Sequence, residues 1–164
     1  MAASSDSKQT EVPSRGATPF EWTGANGEAI QIPGGVAELV AVNDAEHIIS
    51  GGARQHVFVA PSLAGGERCT VVILPDPAGN TASTTCGDDP SREGYVLHGA
   101  SDGEGNLLVA LMFSSDVSRP RIDDGPELRV VRGFATAKLT PASKVLSFIR
   151  EGRQINVSLA KFVG

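Results

Sequence analysis

The stretch from Arg68 to Phe113 constrains the fold more than any other part of the chain. It contains three short apolar runs, Cys69–Leu74, Gly94–His98 and Leu107–Phe113. Clusters of Gly, Pro, Asp and Asn separate these runs, and such residues favour turns. Apolar runs this short, bounded by turn residues, are typical of β-strands and too short for ordinary helices. The stretch therefore predicts consecutive β-strands.

The same pattern extends to the C-terminus. Further runs predict strands at His56–Ala60, Ser83–Cys86, Leu128–Val131, Ala135–Leu139, Val145–Arg150 and Gln154–Leu159. Between the last two, the dipeptide Glu151–Gly152 predicts a tight hairpin turn. Strands at near-regular spacing with such turns predict a mainly β fold, either an antiparallel sandwich or a barrel-like domain.

The N-terminal part differs in pattern. Apolar residues between Val36 and Ile49 fall at i, i+3 and i+4 in two sets: Val36, Leu39, Val40 and then Ala45, Ile48, Ile49. This spacing predicts a short helical segment near residues 36–49, the only one in the chain. Residues 1–19 are polar and aperiodic, which predicts a flexible N-terminal tail. Residues 20–164 are enough for a single β-rich domain with its own core.

The only two cysteines, Cys69 and Cys86, flank one turn-rich connection between two predicted strands. A hairpin of that shape brings two sulfurs within bonding reach, so we predict a disulfide between them. Two buried, reduced thiols of a cytosolic protein are the alternative. A zinc site would need two more ligands at suitable spacing, and the separation excludes a Cys-x-x-Cys redox motif.

Charge and hydropathy exclude some partners. The net charge of −5 argues against nucleic acid, because phosphate binding needs clustered Lys and Arg. No apolar run approaches the roughly 18 residues of a membrane span. Met1–Thr10 lacks the apolar core of a signal peptide. Its polar, Ser-rich character is of the kind that often follows a removed signal or anchor.

Motifs for catalysis or cofactor binding are missing. His47, His56 and His98 are isolated in sequence, which favours structural roles. No Gly-x-Ser-x-Gly elbow or phosphate-binding loop is present, although a Ser/His/Asp group could still assemble in space. The stretch from Asp102 to Asn106 resembles part of a calcium loop but lacks its closing Glu. We therefore predict no catalytic residue, no cofactor and no metal site.

Residues 45–160 resemble a known type of protein. The pattern is a Val-rich strand at His56–Ala60, the segment Gly65–Cys69, a second Cys at 86, the strand Gly94–Leu97 and two closing hairpins. It is similar to uncharacterised actinobacterial exported or membrane-anchored proteins with a single two-cysteine β domain. Those proteins usually carry Pro-Asp-Gly-Val where this chain has Ser114–Val117. The resemblance implies export, a disulfide and an N-terminal anchor upstream of Ser4.

Together these features favour a non-catalytic, extracytoplasmic binding or structural domain of the cell envelope, secreted or anchored through a segment outside this chain. Its expected partner is a protein or another envelope component, bound through backbone edges or apolar surface without a metal or a catalytic His. One alternative is a hydrolase, which a deep polar pocket joining a His to a carboxylate would indicate. Another is a subunit of a virion or surface appendage, which edge strands pairing between copies would indicate.

Overall fold

In the computed structural model of the chain, residues 10–12, 18–52, 54–75 and 79–163 are described. They form two compact units. The first comprises the described residues of Met1–Ser50 together with Arg54–Asp88, and the second those of Gly51–Ala53 and Asp89–Gly164. Both are built from antiparallel sheets, which confirms the prediction of a mainly β, sandwich-like fold. The single domain expected over residues 20–164 stays a prediction.

The described part of the first unit forms one large sheet and one hairpin. Its strands are β1 (Thr10–Val12), β2 (Phe20–Thr23), β3 (Ala29–Ile32), β4 (Glu46–Ser50), β5 (His56–Pro61), β6 (Arg68–Leu74) and β7 (Thr81–Cys86). The large sheet has the order β1-β7-β6-β5-β4, and every neighbouring pair is antiparallel. Strands β2 and β3 pair only with each other.

The core of the first unit lies between this hairpin and one face of the sheet. Ile30 and Ile32 of β3 pack against Phe58 of β5 and against Val71 and Ile73 of β6. Strand β6 is buried from Cys69 to Leu74, as expected for a central strand whose sequence is apolar apart from Thr70. The two layers are held together by apolar burial, which is the main favourable term in folding.

The helical segment predicted near residues 36–49 is only partly helical. Gly34–Glu38 and Val42–Asp44 form two short 3₁₀ helices, whereas Glu46–Ser50 is strand β4. The prediction was wrong for this last part because β4 carries a bulge between His47 and Ile49. The bulge buries two consecutive residues, Ile48 and Ile49, and so breaks the alternation by which a strand is recognised.

Most of the tail predicted over residues 1–19, namely 1–9 and 13–17, lies outside the described residues. Three residues within it, Thr10–Val12, form strand β1 and pair with Ala82–Thr84 of β7. At this point the chain therefore adds an edge strand to the sheet of the first unit.

The second unit pairs two small sheets around a core of its own. Its described elements are β8 (Tyr95–Ser101), β9 (Leu107–Phe113), β10 (Val117–Ile122), β11 (Phe134–Leu139), β12 (Val145–Arg150), β13 (Arg153–Ser158) and the short helix α1 (Ala160–Val163). The sheets have the orders β11-β9-β8 and β10-β12-β13. Leu111 and Phe113 of the first sheet and Leu146 and Phe148 of the second belong to one apolar cluster.

Two turns shape the second unit. The predicted hairpin at Glu151–Gly152 is confirmed: both residues have positive φ, and β12 pairs with β13 from Arg150↔Arg153 onward. The strand predicted at Leu128–Val131 was wrong. Val131 forms an isolated bridge with Phe134 across a two-residue turn, so the chain reverses before a strand can extend.

Candidate functional site

Cys69 and Cys86 form a disulfide, as predicted. The two residues are directly opposite each other on β6 and β7. Cys69 is completely buried within the core of the first unit and Cys86 is partly buried against the same core, so the bond joins two neighbouring strands at that core. Disulfides of this kind are typical of oxidising compartments. Among the described residues, no helix is long and apolar enough to cross a bilayer.

The structure brings two of the isolated histidines together around a serine. His47 is opposite Phe58 in the β4–β5 pair, and Ser50 is opposite His56. Residues three apart in a regular strand face opposite sides of the sheet. The bulge in β4 inserts one extra residue between His47 and Ser50. Both side chains therefore point to the same face of the sheet as His56.

The Ser50 hydroxyl is hydrogen-bonded to both imidazoles. Its Oγ lies 3.0 Å from His47 Nε2 and 2.8 Å from His56 Nδ1. One hydroxyl can donate only a single hydrogen bond but can accept two, so at least one of the rings presents an N–H to the Ser50 oxygen. The exposed Ser50 sits at the end of edge strand β4, where solvent reaches the group.

Aromatic rings hold the imidazoles in place. The His47 ring centroid lies 5.3 Å from that of Trp22, 5.0 Å from that of Phe58 and 5.4 Å from that of His56. Trp22 is itself fixed, because its Nε1–H donates to the carbonyl oxygen of Ala45 at 3.2 Å. The pair thus lies at the rim of the first unit's core.

Burial controls the charge of the two rings. It lowers the pKa of His47, an effect that the Glu28 carboxylate opposes. Burial also lowers the pKa of His56; the positive charge of His47 acts in the same direction, and Glu28 again opposes it. Both imidazoles are therefore neutral at pH 7, beside a negative charge. In the described part of the chain, no group of three or more His, Cys, Asp or Glu side chains is arranged to hold a metal ion.

The third histidine takes no part in this cluster. His98 is buried on β8 of the second unit. The loop from Asp102 to Asn106 also has a local structural explanation. The Asp102 carboxylate accepts hydrogen bonds from the backbone N–H groups of Glu104 and Asn106 and from the Asn106 side-chain amide. These bonds, the Asn106 amide first, lower the pKa of Asp102.

A groove in the second unit is the other candidate site. Its volume is about 340 Å³, near the lower end of the range of ligand pockets. One wall is apolar and includes Leu128 and Val130, while Ser114, Ser115 and Ser118 supply hydroxyl groups. Val130 is 41% exposed, so its side chain contributes apolar surface to the groove that solvent can reach.

Arg119 lies at the rim of this groove, with its side chain 68% exposed. Its φ of 55° lies in the left-handed region, at a bulge between Ser118 and Arg121 of β10. Arg119 Nε donates to Glu127 Oε1 at 2.7 Å, and both residues line the groove.

No family of known proteins, no characterised protein and no solved structure matches this chain. Function is therefore inferred from the chemistry of the described residues. The pairing of Cys69 with Cys86 could be predicted from the sequence alone. The Ser50 cluster and the Arg119 groove could not, because each depends on a bulge that leaves no distinct signal in the sequence.

Proposed function

We propose that this chain is a non-catalytic binding domain of an extracytoplasmic compartment, and that the groove of the second unit holds its ligand. The observation that carries the proposal is a groove of about 340 Å³ that combines the apolar side chains of Leu128 and Val130 with serine hydroxyls and the Arg119 guanidinium. A concave surface with apolar side chains and a few polar groups is typical of binding sites.

The proposed compartment rests on the disulfide. Cys69 and Cys86 are bonded across two neighbouring strands. In most organisms the cytosol keeps such thiols reduced, whereas secreted and envelope proteins keep them oxidised. The resemblance to exported actinobacterial proteins points the same way. Export and anchoring are part of the proposal on these two grounds.

The ligand that fits the groove is a short extended segment of a partner protein. The apolar wall at Leu128 and Val130 suits an aliphatic or aromatic side chain, and the serine hydroxyls suit backbone amides. Arg119 uses Nε for Glu127, and its two terminal amino groups can bind a carbonyl or carboxylate of the ligand. Arginine is enriched in protein–protein interfaces for this reason.

The experiment compares two matched surface substitutions. The purified protein is immobilised and exposed to a detergent extract of the source organism's cell envelope, and bound proteins are identified by mass spectrometry. Val130→Asp places a charge in the groove. Leu63→Asp makes an equivalent change at the 57% exposed Leu63, which lies in the first unit and does not line the groove.

We expect a protein that is retained by the wild type and by Leu63→Asp but lost with Val130→Asp. Affinity between the captured partner and each variant is then measured with purified components. Removal of a central apolar contact typically costs more than about 1 kcal/mol of binding free energy. Equal binding of the partner to Val130→Asp and the wild type would overturn the groove as the binding site.

The competing class, a hydrolase, would use Ser50 as its nucleophile, since an imidazole lies within hydrogen-bonding distance. Two features argue against it. The Ser50 oxygen accepts an N–H from at least one of the rings, which lowers its nucleophilicity. Neither ring donates a hydrogen bond to a carboxylate among the described residues, as the histidine of a triad does. We expect no covalent labelling by a fluorophosphonate probe; modification that Ser50→Ala abolishes would favour the enzyme.

A further inference from the structure

The bulged end of β4 makes two imidazole nitrogens converge on one point. His47 Nε2 and His56 Nδ1 lie 3.0 and 2.8 Å from the same Ser50 Oγ, and both nitrogens are hydrogen-bonded to that oxygen. We propose that His47 and His56 form a binding site for a divalent transition-metal ion, with Cu²⁺ preferred over Ni²⁺ and Zn²⁺. This site is independent of the groove proposed above.

The geometry requires only small movements. An imidazole nitrogen binds these ions at about 2.0–2.1 Å, somewhat closer than the present distances to Ser50 Oγ. Ser50 is exposed, so its hydroxyl can rotate toward solvent and vacate the point between the rings. Strand β4 is an edge strand of its sheet, paired only with β5, so its bulged end can adjust while the two nitrogens approach the ion by about 0.7–1.0 Å.

The local charge favours a cation. Glu28 acts electrostatically on both rings as the nearby negative group. Metal binding requires the lone pair of each of the two nitrogens, so a ring whose N–H faces Ser50 Oγ must carry its proton on its other nitrogen when the ion binds.

The donor set selects the kind of ion. Imidazole nitrogen suits copper, nickel and zinc, whereas calcium and magnesium prefer oxygen ligands. Two protein ligands leave the other coordination positions to water, so the ion is exchangeable and accessible from solvent. For one set of nitrogen ligands, Cu²⁺ binds more tightly than Ni²⁺ or Zn²⁺.

The fluorescence of Trp22 can report metal binding at the two histidines. It is the only tryptophan of the chain, and its ring centroid lies 5.3 Å from that of His47. A Cu²⁺ ion bound between the histidines would quench its fluorescence, and EDTA would restore it. Cu²⁺ is added as its chloride to the full chain with its disulfide intact, and the emission of Trp22 is recorded.

His56→Gln is the decisive variant, because His56 contacts His47 but makes no ring contact with Trp22. We expect saturable quenching in the wild type and an apparent Kd at least tenfold higher in His56→Gln, since losing even outer partners of a metal site costs about tenfold. His98→Gln is the matched control and should leave the Kd unchanged. Saturable quenching with the same Kd in His56→Gln, or none in the wild type, would overturn the proposal.

A second measurement needs no substitution. Zn²⁺ is titrated into ¹⁵N-labelled wild-type protein, and the imidazole ¹⁵N resonances are followed by NMR. Zn²⁺ should shift the resonances of Nε2 of His47 and Nδ1 of His56 while leaving those of His98 in place. If millimolar Zn²⁺ shifts the imidazole resonances of neither His47 nor His56, that result would contradict the site, even if Cu²⁺ changes the fluorescence of Trp22.

Discussion

The imidazoles of His47 and His56 show how a single residue's environment sets its chemistry. Each lies half-buried at the rim of an apolar core, where the charged form of a side chain is poorly solvated. Burial lowers the pKa of both from the ordinary value of 6.5, and it outweighs the opposing charge of Glu28. The folded protein therefore holds these rings neutral at a pH where the unfolded chain would protonate them.

This difference makes folding stability depend on pH. Between pH 6.5 and the lower pKa of the folded state, the unfolded chain binds more protons, so the free energy of unfolding decreases as the pH falls. We expect urea denaturation to show lower stability at pH 5.5 than at pH 7.5. The double variant His47→Gln, His56→Gln should lose most of this slope. Three carboxyl groups also have pKa values lowered from 3.8, those of Asp89, Asp102 and Asp116. They change the free energy of unfolding at a more acidic pH than the range of 5.5 to 7.5 used here.

If the free energy of unfolding fell equally between pH 7.5 and 5.5 in the wild type and the double variant, the two imidazoles would not be the cause of the pH dependence. His98→Gln serves as the control for a histidine outside the cluster.

The disulfide stabilises by restricting the unfolded chain. Cys69 and Cys86 are 17 positions apart, and closing a loop of that size contributes about 3 kcal/mol in the chain-entropy model. The double variant Cys69→Ala, Cys86→Ala should therefore unfold at a clearly lower urea concentration. Intact-mass analysis after alkylation of the unreduced, denatured protein checks the bond itself. It should show no label; two labels would mean that the native protein lacks the bridge.

At the scale of elements, the sequence predicted strands well wherever they are central. Strands β5, β6 and β9 lie inside their sheets, and consecutive residues of each are buried. Both faces of these strands are therefore covered, which explains their apolar runs. The edge strands β4 and β10 were missed. A bulge in each changes which residues face the core, and β10 also carries a proline and two arginines. Because both candidate sites lie at these bulges, the sites were missed with them.

One close approach in the second unit tests its packing. Gly94 has a φ of 91°, and an added Cβ would lie 3.1 Å from Cε1 of Phe148, a residue only 1% exposed. Gly94→Ala should therefore combine backbone strain with overpacking and cost roughly 2–4 kcal/mol of stability. Gly103→Ala is the matched control, because its φ is 80° and no atom lies near the added carbon.

We expect Gly103→Ala to cost about 1 kcal/mol from the backbone alone. Chemical denaturation of both variants measures the difference. Equal losses would show that the contact between Gly94 and Phe148 does not constrain the core of the second unit.

At the scale of the whole molecule, each unit carries one of the two candidate sites and has an apolar core of its own. The first holds the disulfide and the His47–His56 pair, and the second holds the groove at Arg119 and Val130. The two exposed large apolar side chains, Leu63 and Val130, are divided between the units in the described part of the chain. This division allows the binding role of the groove to be tested against a chemically equivalent position elsewhere.

Site-specific photo-crosslinking in intact cells tests the proposed binding most directly. A photoreactive amino acid replaces Val130 in one version of the protein and Leu63 in another, and cells are irradiated before the envelope is isolated. We predict a discrete crosslinked product between position 130 and one envelope protein, with no such product from position 63. The same products from both positions, or none from position 130 when the protein is present in the envelope, would contradict a binding domain that works through this groove.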